Sequence, residues 1–268
     1  MGALFSTEGF ARLDAIVRPG LLCAFDFDGT LSPIVALPEH ACLPTELMYR
    51  LVELSAYAPV AIITGRALDD VRERLGFVPD FVVGNHGIEG LPGWEEPAAR
   101  HRAVCRLWHE RLSSILHEPA MFDPGIVIEN KRYSLSVHYR HARDPIEAES
   151  RLRNVLMHLE PLPRVISGKC VFNLLPEEAG DKGSALEQLM QISRAQSAIY
   201  IGDDITDEDV FRLRRGNLLT VRIECTTETE AEFFLRRRQD MAQLLDELIN
   251  RLHTLGARNW TLPAPISH

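Results

Sequence analysis

Two groups of carboxylates each follow directly on an apolar run. Asp26-Phe27-Asp28-Gly29-Thr30 comes after Leu21–Phe25, and Gly202-Asp203-Asp204-Ile205-Thr206-Asp207-Glu208-Asp209 comes after Ala198–Ile201. Acids this closely spaced repel one another unless a cation or a lysine neutralises some of them. Together they make a plausible oxygen cage for Mg²⁺, which keeps several waters and takes only one or two protein carboxylates beside substrate phosphate. Two further segments complete the set. Thr64-Gly65-Arg66, after Val60–Ile63, offers a hydroxyl and backbone N–H groups to a phosphate oxygen. Asp181-Lys182-Gly183 places a lysine at a helix start, where the dipole disfavours a cation unless an anion meets it. The plain alternatives are a capped polar turn, a solvated acidic loop, a simple strand-to-helix junction and a surface lysine.

Positioning these groups requires strands that end where they stand. Leu21–Phe25, Val60–Ile63, Phe81–Val83, Ala198–Ile201 and Leu218–Ile223 are continuous apolar runs separated by helical patterns. Such runs suggest parallel strands buried on both faces, and ligands in open parallel sheets bind at the strands' carboxyl ends. The expected helices begin near Ser6, at Pro44, before a stop at Gly76, at Asp181 and at Met241. The fold class is therefore α/β, a Rossmann-like parallel-sheet core with helices on both faces.

The pattern changes in the turn-rich stretch Leu91–Pro97. A helix through Val104, Leu107, Trp108, Leu112 and Ile115 leads to candidate strands Ile126–Asn130 and Tyr133–Arg140, the second alternating cleanly. A helix with Ile146, Leu152, Val155, Leu156 and Leu159 then precedes Arg164–Ser167 and Cys170–Leu175. This is an inserted α+β domain with an antiparallel sheet, residues 94–177, between core segments 1–93 and 178–268. Alternation puts Glu129 with Lys131 on one face, Ser134 with Ser136, His138 and Arg140, and Lys169 with Asn173. Such a face suits a polyhydroxylated ligand, whose hydroxyls both donate and accept, or is simply the solvated side of a sheet.

The 268 residues carry a formal charge of −9, with 46% hydrophobic and 25% charged residues. No basic face points to nucleic acid, so an anionic substrate needs a local cation. No apolar stretch is long enough to span a membrane. Five scattered cysteines without a CxxC pair fit a reducing, cytoplasmic setting. Gly2 and Ser6 match a myristoylation pattern that is short and common by chance. The tail Pro263–His268 is expected to be loose.

The four core segments, in this order, resemble the haloacid dehalogenase-like phosphotransferases. That resemblance implies Asp26 as nucleophile and Asp28 as general acid and then base. It implies Thr64 and Lys182 on the phosphoryl group, and Mg²⁺ on Asp26, the backbone carbonyl of Asp28, and Asp203. Asp204 and Asp207 would stand behind these ligands or replace one of them. More narrowly, Glu129-Asn-Lys131, His138-Tyr-Arg140, Gly168-Lys-Cys-Val171, Gly84-Asn-His-Gly87 and Gly202–Glu208 resemble the trehalose-6-phosphate phosphatases. This implies hydrolysis of a sugar phosphate beneath a mobile cap, with Glu129, Lys131, His138, Arg140, Lys169 and Asn173 touching sugar from the cap and Arg66, His86 and Glu89 lining the core side. That family usually places Glu where this chain has Asn173, which leaves sucrose phosphate or glucosylglycerol phosphate as alternatives to trehalose 6-phosphate. An inactive sugar-phosphate sensor is expected to lack Asp26, Asp28, Lys182 or Asp203, and all four are present.

Overall fold

A computed structural model of the chain describes residues 1–35, 37–116 and 123–256. The expectation for the tail lies outside these residues. The chain divides into two units, Met1–Leu91 with the segment from Asp181 onward, and Pro92–Gly180.

In the first unit the elements are β1 (Gly2–Ala3), α1 (Thr7–Ile16), β2 (Leu21–Phe25), α2 (Thr45–Ser55), β3 (Val60–Ile63), α3 (Leu68–Leu75) and β4 (Phe81–Val83). After the insertion come α6 (Lys182–Ser193), β9 (Ser197–Gly202), α7 (Glu208–Phe211), β10 (Leu218–Ile223), β11 (Phe233–Leu235) and α8 (Met241–Thr254). The strands form one parallel sheet in the order β1-β11-β10-β9-β2-β3-β4. Alternate residues go to opposite layers. Leu21, Cys23, Phe25, Val60, Ile62, Ile199 and Ile201 pack into one core, and Leu22, Ala24, Ala61, Ile63, Ala198 and Tyr200 into the other. That two-sided burial is why these strands read as unbroken apolar runs.

Capping follows the sequence signals. The Ser6 hydroxyl accepts from the Gly9 N–H, Gly76 closes α3 in the left-handed region, and Asp181 caps α6 by accepting from Ser184 N–H. Gly2, the residue of the lipidation pattern, pairs with Phe233 in β1. Strands β1 and β11 escape the sequence reading because each is too short to show a pattern.

The second unit contains α4 (Glu95–Leu116), β5 (Val127–Asn130), β6 (Leu135–His138), α5 (Pro145–Leu156), β7 (Arg164–Gly168) and β8 (Val171–Leu175). Its antiparallel sheet runs β5-β6-β8-β7. The helix α4 starts at Glu95 inside the turn-rich stretch, since Pro97 in a first turn has no N–H to miss. Leu107 and Ile146, expected on buried stripes, are exposed, while Trp108, Leu112, Leu152 and Leu156 fill the core with Val137, Phe172 and Leu174. Lys169 is not on a strand. It sits with Cys170, which has φ of 59°, in the turn joining β7 to β8. Among the described residues no helix is long and apolar enough to cross a membrane.

Candidate active site

The site lies at the carboxyl ends of β2, β3 and β9, where chain order reverses across the sheet. Asp26 is the first residue past β2, and its N–H donates to Ile201 O of the neighbouring β9 at 2.9 Å. Its carboxylate is buried and accepts from Lys182 Nζ at 2.7 Å. The same ammonium donates to Asp207 Oδ1 at 2.7 Å. Lys182 is only 2% exposed, so its place at the start of α6 is set by the two carboxylates it meets. Burial alone would lower its pKa, but Asp207 and Asp26 outweigh that and hold it above its ordinary value. Burial pushes Asp26 well above the carboxylate range, against the pull of Lys182 and with help from Asp207 and Asp203.

Asp26, Asp203 and Asp207 bring carboxylate oxygens within 4.8 Å of one another. Their donors are not equivalent. Asp207 accepts from Lys182 Nζ and Tyr200 Oη on one oxygen, at 2.7 and 2.6 Å, and from the N–H groups of Asp203 and Asp204 on the other, at 2.8 and 2.9 Å. A carboxylate has about four acceptor positions, so protein donors fill Asp207 and make it the brace of the cluster. Asp203 takes a bond from Thr30 Oγ1 at 3.0 Å. Burial first, then Asp207, push its pKa up to about 7. Gly29, with φ of 84°, admits the Asp203 carboxylate where a Cβ would lie 2.1 Å from it. Three acids and one lysine leave an excess of negative charge in a nearly dry site with hard oxygen donors. That donor set fits a divalent cation of the Mg²⁺ type, which Asp26 and Asp203 could hold.

The Asp28 carboxylate turns to Arg66. It does not face the cluster with Asp26. Its two oxygens accept from Arg66 Nε at 2.6 Å and Nη2 at 2.7 Å, so any part for Asp28 in binding metal falls to its backbone. Arg66 also holds Asp70 through Nη1 at 2.7 Å. Burial would lower the Arg66 pKa, yet Asp28 and Asp70 raise it overall. Thr64 is buried, and its hydroxyl accepts from Arg66 N–H at 3.2 Å, leaving its own proton to donate. His86 adopts φ of 58° and packs its ring where a Cβ on Gly65 would fall 2.4 Å away, with its N–H on Thr64 O. Glu89 is buried and accepts from the Asn85 side chain, so it shapes this loop. Asp204 is exposed beside the cluster. Tyr200 and Arg222 went unnoticed in the sequence. Both lie on strands, Tyr200 reaching Asp207 across the turn that follows β9 and Arg222 reaching that turn from the paired β10.

In the second unit, Glu129, Ser136, Asn173 and Ile166 form one row across the sheet, and Val127, His138 and Val171 the next. His138 Nε2 lies 2.9 Å from Glu129 Oε2, and Ser136 Oγ donates to Asn173 Oδ1 at 2.6 Å. Arg140 Nη2 reaches Lys169 O at 3.3 Å. Lys131 stands past the end of β5, with its N–H on Ser134 O. The expected polar face therefore holds for Glu129, Ser136, His138 and Asn173, while Lys169 flanks it from the turn.

A buried aspartate after the central parallel strand, with an antiparallel unit inserted in the chain, defines the haloacid dehalogenase-like fold with a cap. Solved structures agree. A trehalose-6-phosphate phosphatase related protein superposes with a TM-score of 0.70 at 24% identity, covering 85% of this chain and 97% of that one. The C-terminal domain of the Candida albicans trehalose-6-phosphate phosphatase gives 0.69 at 20% identity, covering 93% and 98%. The family model described as trehalose-phosphatase matches residues 24–239, and the chain belongs to that family. The trehalose-phosphate phosphatase of Mycobacterium marinum is 33% identical over 93% of this chain, and that of Mycobacterium tuberculosis 33% over 94%. The chain spans 66% of the length of the Mycobacterium marinum relative.

Proposed function

We propose that this protein hydrolyses trehalose 6-phosphate to trehalose and phosphate through an aspartyl-phosphate on Asp26. The observation that carries the reading is Lys182, buried between Asp26 and Asp207 beside Asp203. A lysine spent this way makes chemical sense where a phosphoryl group is brought to an aspartate. In the first step an Asp26 oxygen bonds to phosphorus, and the sugar oxygen leaves with a proton from Asp28. In the second, Asp28 takes a proton from water as the water oxygen bonds to phosphorus and the bond from phosphorus to the Asp26 oxygen breaks, which frees phosphate and restores Asp26. Splitting one hard displacement into two is the general gain of a covalent intermediate. Lys182 and the Thr64 hydroxyl bind the phosphoryl oxygens and hold phosphorus in line with Asp26. Bound Mg²⁺ supplies further positive charge to those oxygens. The polar face of the four-stranded sheet, with Glu129, Lys131, His138, Arg140, Lys169 and Asn173, supplies the sugar contacts in this reading.

A second reading is a phosphatase for another sugar phosphate. It is favoured by Asn173, whose oxygen accepts one bond from Ser136 and whose amide can donate, as a carboxylate cannot. Phosphate release from a panel of sugar phosphates, with Mg²⁺ and then with chelator, decides between them. Mg²⁺-dependent release strongest for trehalose 6-phosphate supports the first reading. Preference for sucrose phosphate or glucosylglycerol phosphate supports the second, and no release from any member defeats both.

A further inference from the structure

Asp203 is fixed at every polar group it has. Its N–H donates to Asp207 Oδ2 at 2.8 Å and its carboxylate accepts from Thr30 at 3.0 Å. Its carbonyl accepts from Nη2 of Arg222 at 2.5 Å, and Nη1 of the same guanidinium reaches the Asp204 carbonyl at 3.3 Å. Arg222 belongs to β10, where it pairs in register with Gly202, the residue just before this turn. Its side chain is 16% exposed and is tied to Glu208, which is buried, at 3.2 Å. Glu208 in turn accepts from Thr229 Oγ1 at 2.6 Å and Glu230 N–H at 2.9 Å. The acidic run is thus split by direction. Asp203 and Asp207 face the cluster, and Glu208 faces away, gripping the guanidinium that holds the backbone of the turn.

We infer that Arg222 is a positioning residue for the cation site, with Glu208 as its anchor. It touches neither the phosphoryl group nor the reacting atoms. It fixes the Asp203–Asp204 backbone at its carbonyls while Asp207 holds its N–H groups, so the Asp203 carboxylate is aimed before a cation arrives. Groups that orient metal ligands commonly govern affinity nearly as strongly as the ligands do. The inference rests on the metal-dependent reading above.

Titration of Mg²⁺ alone into the substrate-free protein, followed by calorimetry, tests it. Arg222→Gln is expected to weaken Mg²⁺ binding about tenfold or more, while KM for the sugar phosphate at saturating Mg²⁺ changes far less. Arg222→Lys, with a cation that reaches one carbonyl, is expected to recover part of the loss. A folded Arg222→Gln protein that binds Mg²⁺ as the unaltered chain does overturns the inference. If that variant does not fold, Arg222→Lys decides on the same criterion, with unchanged affinity overturning it. Failure of the unaltered chain to bind Mg²⁺ removes the metal reading and this inference together, a result distinct from loss of the Arg222 effect alone.

Discussion

The Arg66 guanidinium meets the Asp28 carboxylate side on, Nε to Oδ2 at 2.6 Å and Nη2 to Oδ1 at 2.7 Å. This fork geometry fixes both planes, which a lysine cannot do. If Asp28 exchanges protons with the leaving sugar and then with water, its aim depends on Arg66. Arg66→Lys is expected to lower kcat by roughly 10²-fold, the cost of a small misplacement of a catalytic group. Turnover within twofold of the unaltered enzyme would remove Arg66 from the positioning of Asp28.

Lys182 neutralises two buried carboxylates. Lys182→Ala leaves Asp26 and Asp207 without their shared cation, and removal of one partner from a buried ion pair costs about 3–5 kcal/mol. Urea unfolding in metal-free buffer above neutral pH is expected to show a loss of that order, partly recovered by Mg²⁺. A loss below about 1 kcal/mol, the worth of an exposed ion pair, contradicts the buried geometry.

Gly29 tests how closely the two carboxylate loops must approach. Gly29→Ala puts a methyl group into the Asp203 carboxylate and strains a backbone at φ of 84°. The fold is expected to survive with Mg²⁺ affinity reduced about tenfold or more, read by calorimetry. Unchanged affinity would show that Asp203 is not held against this turn.

The pH dependence follows from Asp203, whose pKa rises to about 7 from the ordinary 3.8, chiefly by burial. A carboxyl raised on folding binds more protons in the native state between those two values. Without metal its contribution to stability therefore falls as pH rises through that window. A cation reverses the preference, because it binds the ionised form and releases the proton. The rise in Tm on adding Mg²⁺ is expected to be larger near about pH 8 than near about pH 6. Equal shifts at both would mean that Asp203 does not take up a proton where the cation binds.

How much of this the sequence disclosed depends on distance along the chain. The strands β2, β3 and β9 were legible because each is a run buried on both faces, and the acids at their ends follow immediately. Asp181 and Lys182 stood out because a cation at a helix start is anomalous. The Arg66 partner of Asp28 is not legible, because Arg66 lies on another strand-to-loop junction, and spacing within Asp-Phe-Asp says nothing of which acid turns where. Tyr200 and Arg222 were invisible for the same reason. One is an apolar-looking residue of β9 whose hydroxyl reaches Asp207 past the end of the strand, and the other a single arginine in β10 that acquires its part only through pairing with β9. Alternation puts Lys169 on a face with Asn173 because the pattern continues on paper through a turn that Cys170 makes with a positive φ.

The central claim is that Asp26 is the nucleophile, and Asp26→Asn tests it most directly. Phosphate release from trehalose 6-phosphate at saturating Mg²⁺ is expected to fall by roughly 10³-fold or more, with Tm unchanged or higher because one of three crowded acids has lost its charge. A clean preparation of that variant retaining activity within tenfold of the unaltered enzyme would show that the phosphoryl group is not carried on Asp26.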